Sequence, residues 1–253
     1  MSPMAVSLIT LLCVLSGALA GLILQTVLPG HHLREDSKDV VRVVTGLMAT
    51  LSALVLGLLI ASGKSSFDAV DGELRQIAAK VIVLDRALAQ YGPDAKDARE
   101  LLRNGYAAGV DRLFSASGRH AAASGAMRDA APLEQLDAKL LALAPANDAQ
   151  RALKARAERI IEDMTQSRWL AFGEIAGGIP TGFVVVLVSW LAAMFVGFGL
   201  FAPRSATAIA ALVIGALAVS TSIFLIEELS RPLDGVIAIS GEAMRNAVAV
   251  LGK

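Results

Sequence analysis

The chain has 253 residues, 55% of them hydrophobic and only 18% charged, more apolar surface than a soluble domain of this size carries, so a membrane protein is the first reading. Lys plus Arg and Asp plus Glu balance at 23 each, a neutral total that points to neither nucleic acid nor an acidic substrate. The single cysteine, Cys13, lies inside an apolar run, which excludes an intramolecular disulfide and any multi-cysteine metal site and leaves a small lipid- or helix-facing residue.

Four stretches meet the length of about 20 apolar residues that a membrane-crossing helix needs: 4–28, 41–62, 179–202 and 206–226. The first contains Ala18-Leu19-Ala20 before Gly21, which looks like a signal-peptide cleavage site. No Lys or Arg precedes the run, however, and it continues through Leu28, so it is expected to be a retained helix. In the loop after it, "HHLREDS" from His31 to Ser37 matches no metal-ligand spacing. It reads as a connection in which Asp36 or Ser37 caps the next helix.

The second span is patterned. Arg42, Thr45, Ala49, Ser52, Leu56 and Leu59 recur by three and four and share one helical face. Beside it runs a stripe of small residues, Gly46, Thr50, Ala53 and Gly57, which suits close approach of another helix. Val44, Leu47, Leu51, Leu54 and Leu58 make the opposite, bulky side. Two accounts fit the polar face. The hydroxyls bond back to helix carbonyls while Arg42 snorkels to the interface. Alternatively several copies surround an axis, with a ring of Arg42 at the outer mouth and Leu56 and Leu59 as an apolar constriction, since charged rings select ion sign and apolar necks gate by dewetting.

From Val70 the apolar positions Val70, Leu74, Ile77, Val81, Leu84 and Leu88 alternate by four and three. This heptad seam extends the second span as a long helix and is expected to hold an oligomer together. Leu84-Asp85-Arg86 within it reads as a helix-surface or inter-subunit ion pair. Tyr91-Gly92-Pro93 ends the helix. A second helix follows over about 94–116, then an exposed connection, 117–130, that holds His120. A short helix is predicted over 133–143, between Pro132 and Pro145. Asn147 with Gln150 forms a capping-box pattern opening a last helix that runs to Trp169 at the membrane surface. Glu174 stands just before the third span, as an interfacial carboxylate or as an ion or proton site.

No stretch alternates as a strand does, so the expected fold is an all-α membrane protein of four spans with a helical insert between the second and third. The expected divisions are 1–62, 63–172 (the insert), 173–228 and a tail, 229–253. Four spans put both termini and the insert on one side. Lys64, Arg75, Arg159, Arg168, Arg231 and Arg245 near the span ends place that side in the cytoplasm, against Arg34, Lys38, Arg42 and Arg204 in the short loops, partly offset by Glu35, Asp36 and Asp39. No catalytic nucleophile with its base, no phosphate loop and no cofactor or metal motif is present in the sequence.

A family resemblance rests on Leu28-Pro29, His32-Leu33, Ser37, Val40 and the run "GLMATLSALVLGLLIASGKSSFD" from Gly46 to Asp68. It continues at Leu84-Asp85-Arg86, Tyr91-Gly92-Pro93, Ala98-Arg99, and Glu228 with Pro232, Gly235 and Ser240. On these residues the chain resembles the bestrophin-like domain family of bacterial membrane proteins. The resemblance implies the layout of bestrophins, pentameric anion channels whose second span lines the pore neck. Two departures stand out. The bestrophin neck uses aromatic side chains and this span has none, and in place of the calcium clasp "IEELSRPLDG" offers only Glu227, Glu228 and Asp234. The function expected is a homo-oligomeric inner-membrane channel for small ions, most simply anions. The alternatives are an ion-driven stator-like or transport accessory subunit and a non-conducting scaffold or sensor.

Overall fold

The structure, a computed structural model, describes residues 2–28, 35–114, 131–177 and 181–253. The connection 117–130 with His120, and His31 and His32, lie outside the described residues, as do the side chains of Asp36 and Ser37. The described residues form helices with no strand. Two compact units result, one of residues 1–65 and 179–230, the other of 66–178 and 231–253. The tail predicted as a separate segment therefore folds with the insert.

In the first unit α1 (Pro3–Val27), the opening half of α2 (Glu35–Tyr91), α6 (Thr181–Phe201) and α7 (Ala206–Leu229) are, among the described residues, the four helices long and apolar enough to cross a membrane. Ser2 and Ser205 cap α1 and α7 by accepting from Ala5 N at 3.2 Å and Ala208 N at 3.3 Å. In lipid the packing of such helices depends on close contact rather than on exclusion of water. Here α1 and α6 touch backbone to backbone. A Cβ on Gly17 would lie 2.6 Å from the Ala192 carbonyl oxygen, and one on Gly21 or Gly199 would overlap Val196 O or Ala18 O outright. Against α7, Ser7 and Ser220 trade bonds: Ser220 Oγ donates to Ser7 O at 2.7 Å and Ser7 Oγ to Ser220 O at 3.0 Å.

In the second unit the rest of α2 packs with α3 (Lys96–Phe114), α4 (Ala131–Leu141), α5 (Asp148–Gly177) and α8 (Glu242–Val250). The predicted long helix is present without a break, 57 residues from span to turn. Gly92, at φ 116°, takes a backbone that a side chain would strain, and Pro93 opens the 3₁₀ turn 93–95. The predicted cap of α5 is also present: Gln150 N donates to Asn147 Oδ1 at 2.8 Å. The Gln150 side chain does more than a capping box requires, accepting from Ala146 N at 2.7 Å and donating to Tyr91 O at 2.9 Å, which ties the end of α2 to the start of α5.

The heptad seam lies in the interior of its own chain. Val70, Leu74, Ile77, Val81, Leu84 and Leu88 are all buried inside their own chain, packed on residues such as Leu102, Val110, Leu136 and Met164. An a/d stripe needs an apolar cover, and α3, α4, α5 and α8 supply it before any second copy arrives.

Candidate functional site

The polar face of α2 turns out to be its inward face. Thr45 and Ser52 are buried, and Ala49, Leu56 and Leu59 pack on the core of the membrane unit. Gly197 of α6 leaves the room that the Thr45 hydroxyl occupies: a Cβ there would stand 2.9 Å from Thr45 Oγ1. Five of the six residues of that face, all but Arg42, thus contact their own subunit. In lipid a small polar face is as useful for packing helices as for lining water, so the pattern alone did not separate the two uses.

The sixth, Arg42, is exposed, and its Nη1 lies 3.2 Å from Asp39 Oδ1 one turn earlier. What α2 leaves open is the rest of its surface. Gly46, Thr50, Ala53 and Gly57 are exposed, and nothing stands within 4 Å of where a Cβ would be on Gly46 or Gly57. Thr50 bonds back to Gly46 O at 3.0 Å. Val44, Leu47, Leu51, Leu54 and Leu58 are exposed as well. Only 11% of the apolar window of α2 is buried in the subunit, against 22% to 33% in the other three spans.

In the helical unit the Leu84-Asp85-Arg86 motif divides. Asp85 is buried and takes a bidentate grip from Arg99, Nε to Oδ1 and Nη2 to Oδ2, both 2.9 Å. The Gly252 amide adds a bond to Oδ2 at 3.2 Å. Burial works against the charged carboxylate, but the Arg99 bonds, the Gly252 N–H and the charges of Arg99 and Arg103 outweigh it and hold its pKa below the ordinary value. Arg86 points away and is exposed. The pair that Asp85 makes is a buried one within the subunit, with Arg99 on the next helix, and differs from the helix-surface or inter-subunit pair expected.

Glu174 accepts from Ser66 Oγ at 2.5 Å inside this same helical unit. A cavity of about 140 Å³ lies among Leu74, Tyr106, Leu113, Leu136 and Met164. The buried Tyr106 hydroxyl has no partner among the described residues, and burial pushes its pKa up. Among the described residues no cluster of three or more His, Cys, Asp or Glu could hold a metal ion. Glu228, at the end of α7, is buried. The sequence reading missed the Gly17–Gly21 contact, although a G-x-x-x-G in an apolar segment is its signal. It also missed α8, whose nine residues carry the buried Met244 and Ala247.

A comparison with protein families matches the Bestrophin-like domain over residues 12–244. A comparison with solved structures finds a bacterial bestrophin homolog from Klebsiella pneumoniae, in a form bearing a mutation, with a TM-score of 0.68 at 12% identity, covering 100% of both chains. A comparison with curated proteins found no match. The chain belongs to the Bestrophin-like domain family, and its four-span, all-helical fold is that of the bacterial bestrophin homolog.

Proposed function

We propose that this protein is a homo-oligomeric ion channel of the bacterial inner membrane, passing anions, with copies of α2 around the axis. The observation that carries the proposal is the openness of the α2 span: it is the least covered by its own subunit, and its open surface carries a stripe of small residues. Small residues are of little use against lipid and are suited to a neighbouring helix, here another α2. The subunit's own bundle covers the Thr45–Ser52 face, so a ring with the bundles outside turns the opposite side of α2 to the axis. Leu47, Leu54 and Leu58, flanked by Leu51, stand on that side and form the apolar constriction in place of Leu56 and Leu59. Arg42 remains the exposed cation at the outer end, with Asp39 offsetting part of its charge. Five copies is the number the bestrophin resemblance implies, and the basic residues near the span ends favour a cytoplasmic helical unit and cytoplasmic termini.

The stator-like alternative needs a carboxylate in the membrane. Its candidate, Glu174, bonds Ser66 in the helical unit, which favours the channel. The test is purified protein in planar bilayers under a salt gradient. Conductance with an anionic reversal potential, raised in its basal level by Leu54→Ser, supports the proposal. A protein silent under every voltage, pH and calcium condition overturns it in favour of a scaffold.

A further inference from the structure

The cavity of about 140 Å³ lies wholly inside the helical unit, walled by Leu74 and Ile77 of α2, Leu136 of α4, Met164 of α5 and Met244 of α8. Its remaining wall is one face of α3, on which Gly105, Gly109 and Arg112 recur by four and three. Neither glycine is there for its backbone: both stand inside the helix and neither has a positive φ. Nor does packing require them. Among the described residues a Cβ on Gly109 would meet nothing within 4 Å, and one on Gly105 would make an ordinary contact, 3.5 Å, with Pro132 Cβ. Glycine weakens a helix interior relative to alanine, so α3 gives up stability at two positions beside space that no described side chain fills.

Water is a poor occupant of such a space, because it needs two to four polar partners and most of these walls are apolar. An apolar cavity of about 150 Å³ takes up a benzene-sized body instead. Two arginines also line the cavity, Arg112 exposed and Arg168 half-buried, and no acidic residue is among the described residues around it. Arg112 Nε donates to Ala108 O at 3.3 Å, which lays its guanidinium back over the turn that holds Gly109. Cations beside an apolar bowl suit a ligand that is apolar at one end and anionic at the other, and the planar fork of a guanidinium matches a carboxylate.

We infer that this cavity binds a small monocarboxylate with an apolar body of about six carbons, its body over Gly105 and Gly109 and its carboxylate turned to Arg112 and Arg168. The site is complete within one helical unit, so it stands apart from the ring of α2 helices proposed above.

The probe is 4-fluorobenzoate, titrated onto the full-length chain in detergent and followed by fluorine NMR, with Gly109→Leu in the same detergent as the blank for uptake by micelles. Saturable binding with a Kd of about 1 mM or below is expected. Gly109→Leu should weaken it at least about tenfold. The same change fills the space and removes a helix glycine, so the ligand-free variant should melt about 3 °C or more above wild type. Arg112→Gln should weaken 4-fluorobenzoate about threefold or more while leaving neutral 4-fluorobenzyl alcohol unchanged. No saturable binding at millimolar probe, or binding that Gly109→Leu leaves unchanged, overturns the inference. So does a ligand-free Gly109→Leu protein that melts below wild type, because the space is then already filled in the native protein. Equal affinity for the acid and the alcohol, or an affinity for the acid that neither Arg112→Gln nor Arg168→Gln changes, also overturns it. None of these readouts depends on conduction or on oligomeric state.

Discussion

Removing Arg99 isolates a buried anion, and the geometry sets the size of the effect. The Asp85 side chain is only 7% exposed and takes three N–H bonds, two of them from Arg99. Breaking a buried pair from one side costs about 3–5 kcal/mol, because the remaining charge loses its compensation in a medium where water cannot replace it. Arg99 is itself 25% exposed and Gly252 N–H stays, so the lower end, about 3 kcal/mol, is expected for Arg99→Ala. For a unit of this size that is a fall of ~10 °C in the unfolding midpoint, read by intrinsic-fluorescence melting in detergent. Asp85→Asn leaves Arg99 free to reach water and should cost less, about 1–2 kcal/mol. In the double variant the two losses should overlap by at least about 1 kcal/mol.

The pH dependence has a definite sign. The folded pKa of Asp85 lies below its ordinary value of 3.8, so the pair's stabilisation is fully present above that value and is lost as pH falls through the lowered folded pKa. In Arg99→Ala the same carboxylate is left buried with weaker support, so acidification relieves it. The gap between wild type and Arg99→Ala should therefore close below pH 3.8. An Arg99→Ala protein within about 0.5 kcal/mol of wild type at pH 7, or strictly additive losses in the double variant, would refute this account of the pair.

Cysteines placed singly at Leu47, Leu54 and Leu58 in a Cys13→Ser background should react with a water-soluble thiol reagent faster than cysteines at Thr45 and Ser52. The reverse order, scored by mass shift, would return the pore to the inward face. Arg42→Glu should move the reversal potential toward cation selectivity, by less than an unpaired charge would because Asp39 already offsets part of it. Unchanged selectivity keeps the channel and rejects Arg42 as its filter. Gly21→Leu puts a side chain into the Val196 backbone and should cost upwards of about 2 kcal/mol, seen as loss of folded monomer on gel filtration, whereas Gly46→Ala, which meets nothing in the subunit, should leave the monomer intact.

The sequence determined what is local or periodic. Twenty apolar residues in a row have few other places to go, so the four spans were legible to within a few residues. Gly92-Pro93 cannot continue a helix, and Asn147 with Gln150 satisfies the free amides of the next one, so the turn after α2 and the cap of α5 were legible too. The two units, by contrast, took shape only in three dimensions. The faces of α2 could be listed from its period but not assigned, because lipid, a neighbouring helix and the subunit's own core all accept the same apolar and small residues. The heptad seam carried the same ambiguity: an a/d stripe looks alike whether a second copy or the chain's own α3, α4, α5 and α8 bury it. Asp85 found Arg99 across a turn and Gly252 at the far end of the chain, a coincidence in space that no spacing along the sequence encodes. Which of these covers wins is set by which surfaces arrive together, and that is a property of the packed chain.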